Sequence, residues 1–284
     1  MGTSTSSGGG KAGSPFDPEW LTNAGDAGDA GAGDGNDGDS SEDSPADAVA
    51  DGEGADGDTG TEQDADFAPS RRFAEARQRM TAFLGGGGQE AIRGATRSMV
   101  NRGMGGPRRA ASTMRGTAQG AGGLGQFLQS ARDGTDARVT DWVDRVRHAN
   151  LSADDLILEL VQEVMPSTGS IDDESLRNAA ADALGQLYEI NPGIDLLSLT
   201  DVQIHDVMAI TIANDVCNRM DLQLGQTYER LRYDPQQIQV YRKDVREYVR
   251  GQVRVVMERH SGRGLDPKAL GHEVLKSALE VFAS

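Results

Sequence analysis

Residues 200–217 read TDVQIHDVMAITIANDVC, and this stretch decides the fold. Thr200 is a helix N-cap residue, and Ile204, Val207, Met208, Ile210, Thr211 and Ile212 follow it at positions that cover most of a helix circumference. A helix apolar on so many sides has to be surrounded by other elements, so this one should be the central helix of a bundle. Cys217 lies in the same helix, where a small buried thiol is the default.

The flanking sequence supplies the neighbours. Upstream, Leu176, Ala180, Ala183, Leu184 and Leu187 form the buried stripe of a helix over about 172–189, ended by Asn191-Pro192-Gly193. Before it, Ser152 precedes a helix whose first turn carries Asp154 and Asp155, where negative charge complements the helix dipole. Another helix starts after Thr135 or Asp136 and places Trp142, Val143 and Val146 on one side. Downstream, Asp234-Pro235 and Asp266-Pro267 each put a capping acid before a proline at the first helical position. Ile238, Tyr241, Val245, Val249 and Val256 face inward from the first of these helices, and Leu270, Val274, Leu275, Leu279 and Phe282 from the second. No stretch alternates as a strand would, so residues 133–284 are expected to form an all-α domain, a bundle of about six helices.

The 284 residues carry a net charge of −17, but the charge is segmental: residues 1–70 hold 17 acids and one base, residues 71–132 two acids and 11 arginines, residues 133–284 26 acids and 16 bases. Residues 22–69 repeat Gly-Asp, Ala-Asp and Gly-Glu with almost no large apolar side chain, which predicts a long disordered acidic arm. Such a chain spans roughly 35–40 Å end to end, and more with self-repulsion. Residues 70–132 are Gly/Ala/Arg-rich and partly helical: Phe73, Ala76, Met80, Phe83 and Leu84 mark one helix, Ile92, Ala95 and Met99 another, and Ala111, Met114, Ala118, Ala121, Leu124 and Leu128 a third. Thirteen glycines between Gly85 and Gly125 oppose these helices at about 1 kcal/mol each, so they need close packing against a partner or the C-terminal domain.

Residues 1–21 form a fourth segment, beginning MGTSTSSGGGKAGSPFDPEW. Removal of Met1 before the small Gly2 leaves an α-amine that titrates near ~8, so part of it is a neutral nucleophile at cellular pH. The small side chains of Thr3 and Ser4, and the backbone freedom of Gly8 and Gly9, suit entry into a narrow cleft. After Ser14, Pro15 and Pro18 favour an extended chain, and Phe16 and Trp20 offer a partner two large groups to grip. Met1-Gly2 with Ser6 also fits the loose myristoylation pattern, although one acyl chain holds a membrane only marginally.

The run Met1, Gly2, Thr3, Ser4, Gly8, Gly9, Ser14, Pro15, Pro18 and Trp20 resembles the N-terminal signature of the QatB family of anti-phage defence operons. Gly10 stands where that family favours proline, and Phe16-Asp17 where it favours Leu-Val. The resemblance implies a non-enzymatic defence component that acts with a QueC-like protein, an ATPase and a TatD-like nuclease of the same operon. It further implies that residues 1–20 bind the QueC-like partner, which would use ATP and a deazaguanine precursor to modify Gly2; the chain would need no cofactor of its own. The alternatives are an adaptor whose N-terminus only docks, and a nucleic-acid-binding regulator.

That last reading rests on basic residues. Arg93, Arg97, Arg108 and Arg109 could follow a phosphate backbone, yet no aromatic lies between Phe83 and Phe127 to stack on bases. The tethered acidic arm is a competing sink for these charges. Arg242, Arg246 and Arg250 recur every four residues and suit an acidic partner or phosphates, although a solvated helix face explains them more simply. His148, His205, His260 and His272 form no i,i+4 pair, so no metal site is expected, and there is no phosphate loop or nucleophile elbow. The single cysteine excludes an intrachain disulfide and, with no signal peptide or membrane span, points to the cytoplasm.

Overall fold

The computed structural model describes residues 71–165, 169–230 and 234–284, and among these every regular element is helical. The acidic arm and the N-terminal segment expected over 1–69 lie outside the described residues. Arg71–Ser284 falls within one compact unit. Its helices are α1 (Ala74–Ala82), α2 (Gly88–Ser98), α3 (Pro107–Thr113), α4 (Arg115–Asp133), α5 (Ala137–Ala149), α6 (Ala153–Val164), α7 (Ile171–Ile190), α8 (Asp201–Leu224), the short α9 (Gln226–Arg230), α10 (Pro235–Ser261) and α11 (Pro267–Ala283). Wide helical turns over Phe83–Gly87 and Met99–Gly103 follow α1 and α2.

α8 is the central helix. It packs against α7, α10, α4, α11 and α1. Val207, Met208, Ile212 and Ala213 are fully buried. Its start is fixed by a reciprocal cap, in which the Thr200 hydroxyl accepts from the Gln203 N–H and the Gln203 side chain accepts from the Thr200 N–H. The other expected starts are also present. The side chains of Asp136, Ser152, Asp234 and Asp266 each accept from backbone N–H groups of the first turn, and Pro235 and Pro267 take the first helical position.

α4 explains how a glycine-rich segment stays helical. The third helix expected over 111–128 is two helices, α3 and α4, separated at Met114, whose φ of −91° and ψ of 22° interrupt the regular geometry. α4 then runs 19 residues to Gly134, whose left-handed φ of +63° ends it. It packs on α11 and α8. A side chain at Gly122 would fall 2.7 Å from the Lys268 backbone, and one at Gly271 2.8 Å from the Ala118 carbonyl oxygen. These glycines therefore bring the backbones of α4 and α11 together, while Leu124 and Leu128 are buried beside them. Tertiary burial outweighs the weak intrinsic helix propensity.

Residues 71–104 are tied to the rest by specific contacts. The Phe73 ring occupies the space that a Cβ on Gly103 would enter. The Tyr241 hydroxyl donates to the Leu84 carbonyl at 3.1 Å, and the Phe83 and Tyr241 rings meet edge to face at 5.6 Å. Arg77 donates to the Gln223 carbonyl at 3.0 Å, and the Asn101 amide to the Ala283 carbonyl at 2.8 Å.

Candidate functional site

The polar centre of the molecule lies on α8, where Asn214, Asp215, Asn218 and Arg219 occupy two successive turns of the central helix. Asp215 is fully buried. Its Oδ2 accepts from the Thr117 hydroxyl of α4 at 2.5 Å and from Arg219 Nε at 3.1 Å, and its Oδ1 accepts from the Ser175 hydroxyl of α7 at 2.8 Å. Arg219 also donates to Asp172 at 3.0 Å, and Asn218 to the Ser175 hydroxyl at 3.3 Å. On the other flank, Arg250 of α10 places two nitrogens on Asn214 Oδ1, at 2.7 and 3.1 Å, while Asn214 donates to the Ala179 carbonyl at 3.4 Å. The network thus joins α4, α7, α8 and α10 and saturates its one buried carboxylate, which is the pattern of a structural polar core. Sequence reasoning missed it, although four polar residues at i, i+1, i+4 and i+5, directly after the largely apolar run 207–213 of the central helix, were a usable signal.

Arg250 connects this network to the surface. It lines a groove of about 460 Å³ between α7, α8 and α10, together with Leu187, Ile190, Ile210 and Arg254. Burial foremost, then the charge of Arg246, lowers the pKa of Arg250 from its ordinary value. A second groove, of about 410 Å³, lies between the end of α8 and the start of α10 beside Asp221, Tyr228 and Arg242. There Arg242 pairs with Asp221 at 3.2 Å and lies over the Tyr228 ring at 5.5 Å. Burial raises the Asp221 carboxyl above the usual range, against the pull of Arg242 and Arg246, and burial likewise raises the Tyr228 phenol.

The sequence-based candidates are thus distributed unevenly. Gly2, Thr3, Ser4, Gly8, Gly9, Ser14, Pro15, Phe16, Pro18 and Trp20 lie outside the described residues. Arg93 and Arg97 are on the exposed side of α2, Arg108 is exposed and Arg109 half-buried on α3. The stripe on α10 is not simply a solvated face: Arg242 and Arg250 reach back to α8, and Arg246 is half-buried. Cys217 is buried, and burial pushes its thiol up to about 12. Nδ1 of His148 lies 2.6 Å from the Asp144 carbonyl of its own helix, and His260 meets the Ser277 hydroxyl at 3.1 Å. Among the described residues no group of three or more His, Cys, Asp or Glu could hold a metal ion. Nor is any helix there long and apolar enough to cross a membrane.

No curated protein and no solved structure matches the chain. The family model described as "Qat anti-phage system associated protein QatB" matches residues 105–282, from the start of α3 almost to the end of α11. By that match, which covers the central α8 and its α4, α7 and α10 neighbours, the chain belongs to the QatB family of Qat anti-phage system associated proteins.

Proposed function

We propose that this chain is a non-enzymatic component of a cytoplasmic anti-phage complex whose Gly2 amine is bound, and joined to a deazaguanine-type base, by a QueC-like partner. The observation that carries this reading is the family match over 105–282, combined with the Met1–Trp20 segment that resembles the same family's start. Phe16 and Trp20 anchor the segment, Gly8 and Gly9 thread it, and the partner uses ATP to activate the base for attack by the amine. The helical body presents the terminus to the ATPase and nuclease of the same system.

The test is co-expression with the QueC-like protein and mass measurement of the N-terminal peptide. An adduct of base size on Gly2, absent from Gly2→Pro, is expected. A bare Gly2 in the presence of active partner and precursor would replace conjugation with docking alone.

A further inference from the structure

We infer that the groove between α7, α8 and α10 is a binding site for a small organic anion, an apolar body carrying one carboxylate, sulfonate or phosphate, and that Arg250 is the seat of its charge. The groove has a volume of about 460 Å³, in the range of small-molecule sites. α7 and α10 each pack on α8, and the groove between them is lined by Ala209 and Ile210 of α8 and by Leu187 and Ile190 of α7. Ile190 is 81% exposed, so this apolar surface is open to an occupant. Gly251 lines the α10 side, where an added Cβ would meet nothing within 4 Å. No neighbour among the described residues requires this glycine, which weakens α10 relative to alanine, but its missing side chain keeps the groove open.

The way Arg250 is held selects an anion. Its Nε and Nη2 donate to Asn214 Oδ1 at 3.1 and 2.7 Å, and Asn214 is itself buried. An amide oxygen fixes the guanidinium plane but leaves its charge unbalanced. The other terminal nitrogen, Nη1, has no hydrogen-bond partner among the described residues and is not sealed from solvent. Nor does Arg250 have a carboxylate within ion-pair distance there, since Asp182 and Glu247 act on it only from farther away. The half-buried Arg246, one turn earlier and likewise without an ion pair among the described residues, adds repulsion. The other charges of the groove are engaged or distant. Glu247 faces Lys243 at 3.7 Å, and Arg254 pairs with Glu258 at 3.3 Å. Asp206 precedes Asn214 by eight residues, roughly 12 Å along the helix axis. An anion on Nη1 therefore meets a fixed, partly desolvated guanidinium while its apolar body covers Leu187, Ile190 and Ile210.

The test uses the full chain and two fluorescent probes, anilinonaphthalene sulfonate and the neutral phenylnaphthylamine that lacks only its sulfonate. We expect one equivalent of the sulfonate to bind, about tenfold more tightly than the neutral probe, because a charge-assisted hydrogen bond adds to the same apolar contact. Arg250→Gln should bring the two affinities together and leave that of the neutral probe unchanged. Gly251→Leu fills the groove where the structure has open space, so it should abolish binding of both probes with helicity preserved. If Arg250→Gln loses helicity, the two-probe comparison in the natural chain and in Gly251→Leu decides alone. Equal affinities of the two probes for the natural chain, or a sulfonate affinity unchanged in a folded Arg250→Gln, overturn Arg250 as the seat. Sulfonate binding that survives Gly251→Leu places the probe elsewhere and overturns the site. So does a natural chain that binds neither probe; a dimer of that chain lost in Gly251→Leu, read by sedimentation, would then give the groove to a second copy.

Discussion

Thr117 of α4 donates a 2.5 Å hydrogen bond to Asp215 of α8 where neither side chain reaches solvent. Because Ser175 of α7 donates to the same carboxylate, one charged group fastens three helices that are far apart in sequence. A buried carboxylate is tolerable only when its lone pairs are filled and a cation is near, and Arg219 supplies both remaining conditions.

Removing the donor and removing the charge should therefore differ in cost. Thr117→Val leaves Asp215 with its other partners and should cost about 1–3 kcal/mol. Asp215→Ala strands Arg219, which is 6% exposed, beside the half-exposed Asp172, and should cost about 3–5 kcal/mol. Urea unfolding of both variants measures the order; equal costs would mean that the Thr117 contact, not the charge, holds the site together.

Glycines in these helices should respond to alanine in opposite directions. At Gly122 and Gly271 the added Cβ meets backbone atoms at 2.7 and 2.8 Å, which cannot move without separating α4 from α11, so Gly122→Ala and Gly271→Ala should each lose about 1–3 kcal/mol. Gly185, in the middle of α7, has open space around its Cβ position, and Gly185→Ala should gain up to about 1 kcal/mol from helix propensity. Thermal unfolding of the three single variants settles the signs.

This contrast also shows which parts of the fold were legible. Caps and apolar stripes are local signals, so Thr200, Ser152, Asp234 and Asp266 marked helix starts that the structure contains, and the apolar circumference of 204–212 marked α8 as central. The break at Met114 and the partner of the α4 glycines were not local. Close approach of α4 and α11 depends on Gly122 meeting Gly271, residues separated by most of the bundle. The polar core was hidden for the same reason: Asn214 and Asp215 could be seen in an apolar helix, but Thr117, Ser175 and Arg250 are brought to them only by packing.

Asp221 predicts an unusual pH dependence. Burial raises its pKa above the ordinary 3.8, with Arg242 and Arg246 opposing. A raised folded-state value means stability that is fully present below the unfolded value and is lost as pH rises through the folded one. Asp221→Asn keeps an acceptor for Arg242 without the charge, so its stability relative to the natural chain should improve as pH rises from 3.5 to 6. Chemical unfolding across that range checks the slope; a relative loss with rising pH would show that the Arg242 pair outweighs burial.

Cys217 should be silent in the folded protein. It is 6% exposed, and burial pushes its thiol up to about 12, so almost no thiolate exists at pH 8. Reaction with a thiol-specific chromogenic disulfide should be negligible in native buffer and complete in 6 M guanidinium chloride. Between those limits the rate should follow the opening of α8, and a fast native reaction would mean that α8 frays at this turn.

Residues 71–104 precede the part matched by the family, and Tyr241 is one of the residues that attach them to the bundle. Its hydroxyl holds the Leu84 carbonyl at a wide helical turn where Gly86 has φ of +95°, and its ring packs on Phe83. Tyr241→Phe removes only the hydrogen bond and should cost about 1 kcal/mol, whereas Tyr241→Ala also removes the edge-to-face contact and should cost about 3 kcal/mol or more. The loss should be local. Amide exchange should quicken over residues 74–87 in Tyr241→Ala while α4 and α8 keep their protection, because Thr117, Asp215 and Ser175 fasten the core independently of this contact. Uniform loss of protection would instead make α1 part of the same cooperative unit as α8, on which it packs through the Arg77 bond to Gln223.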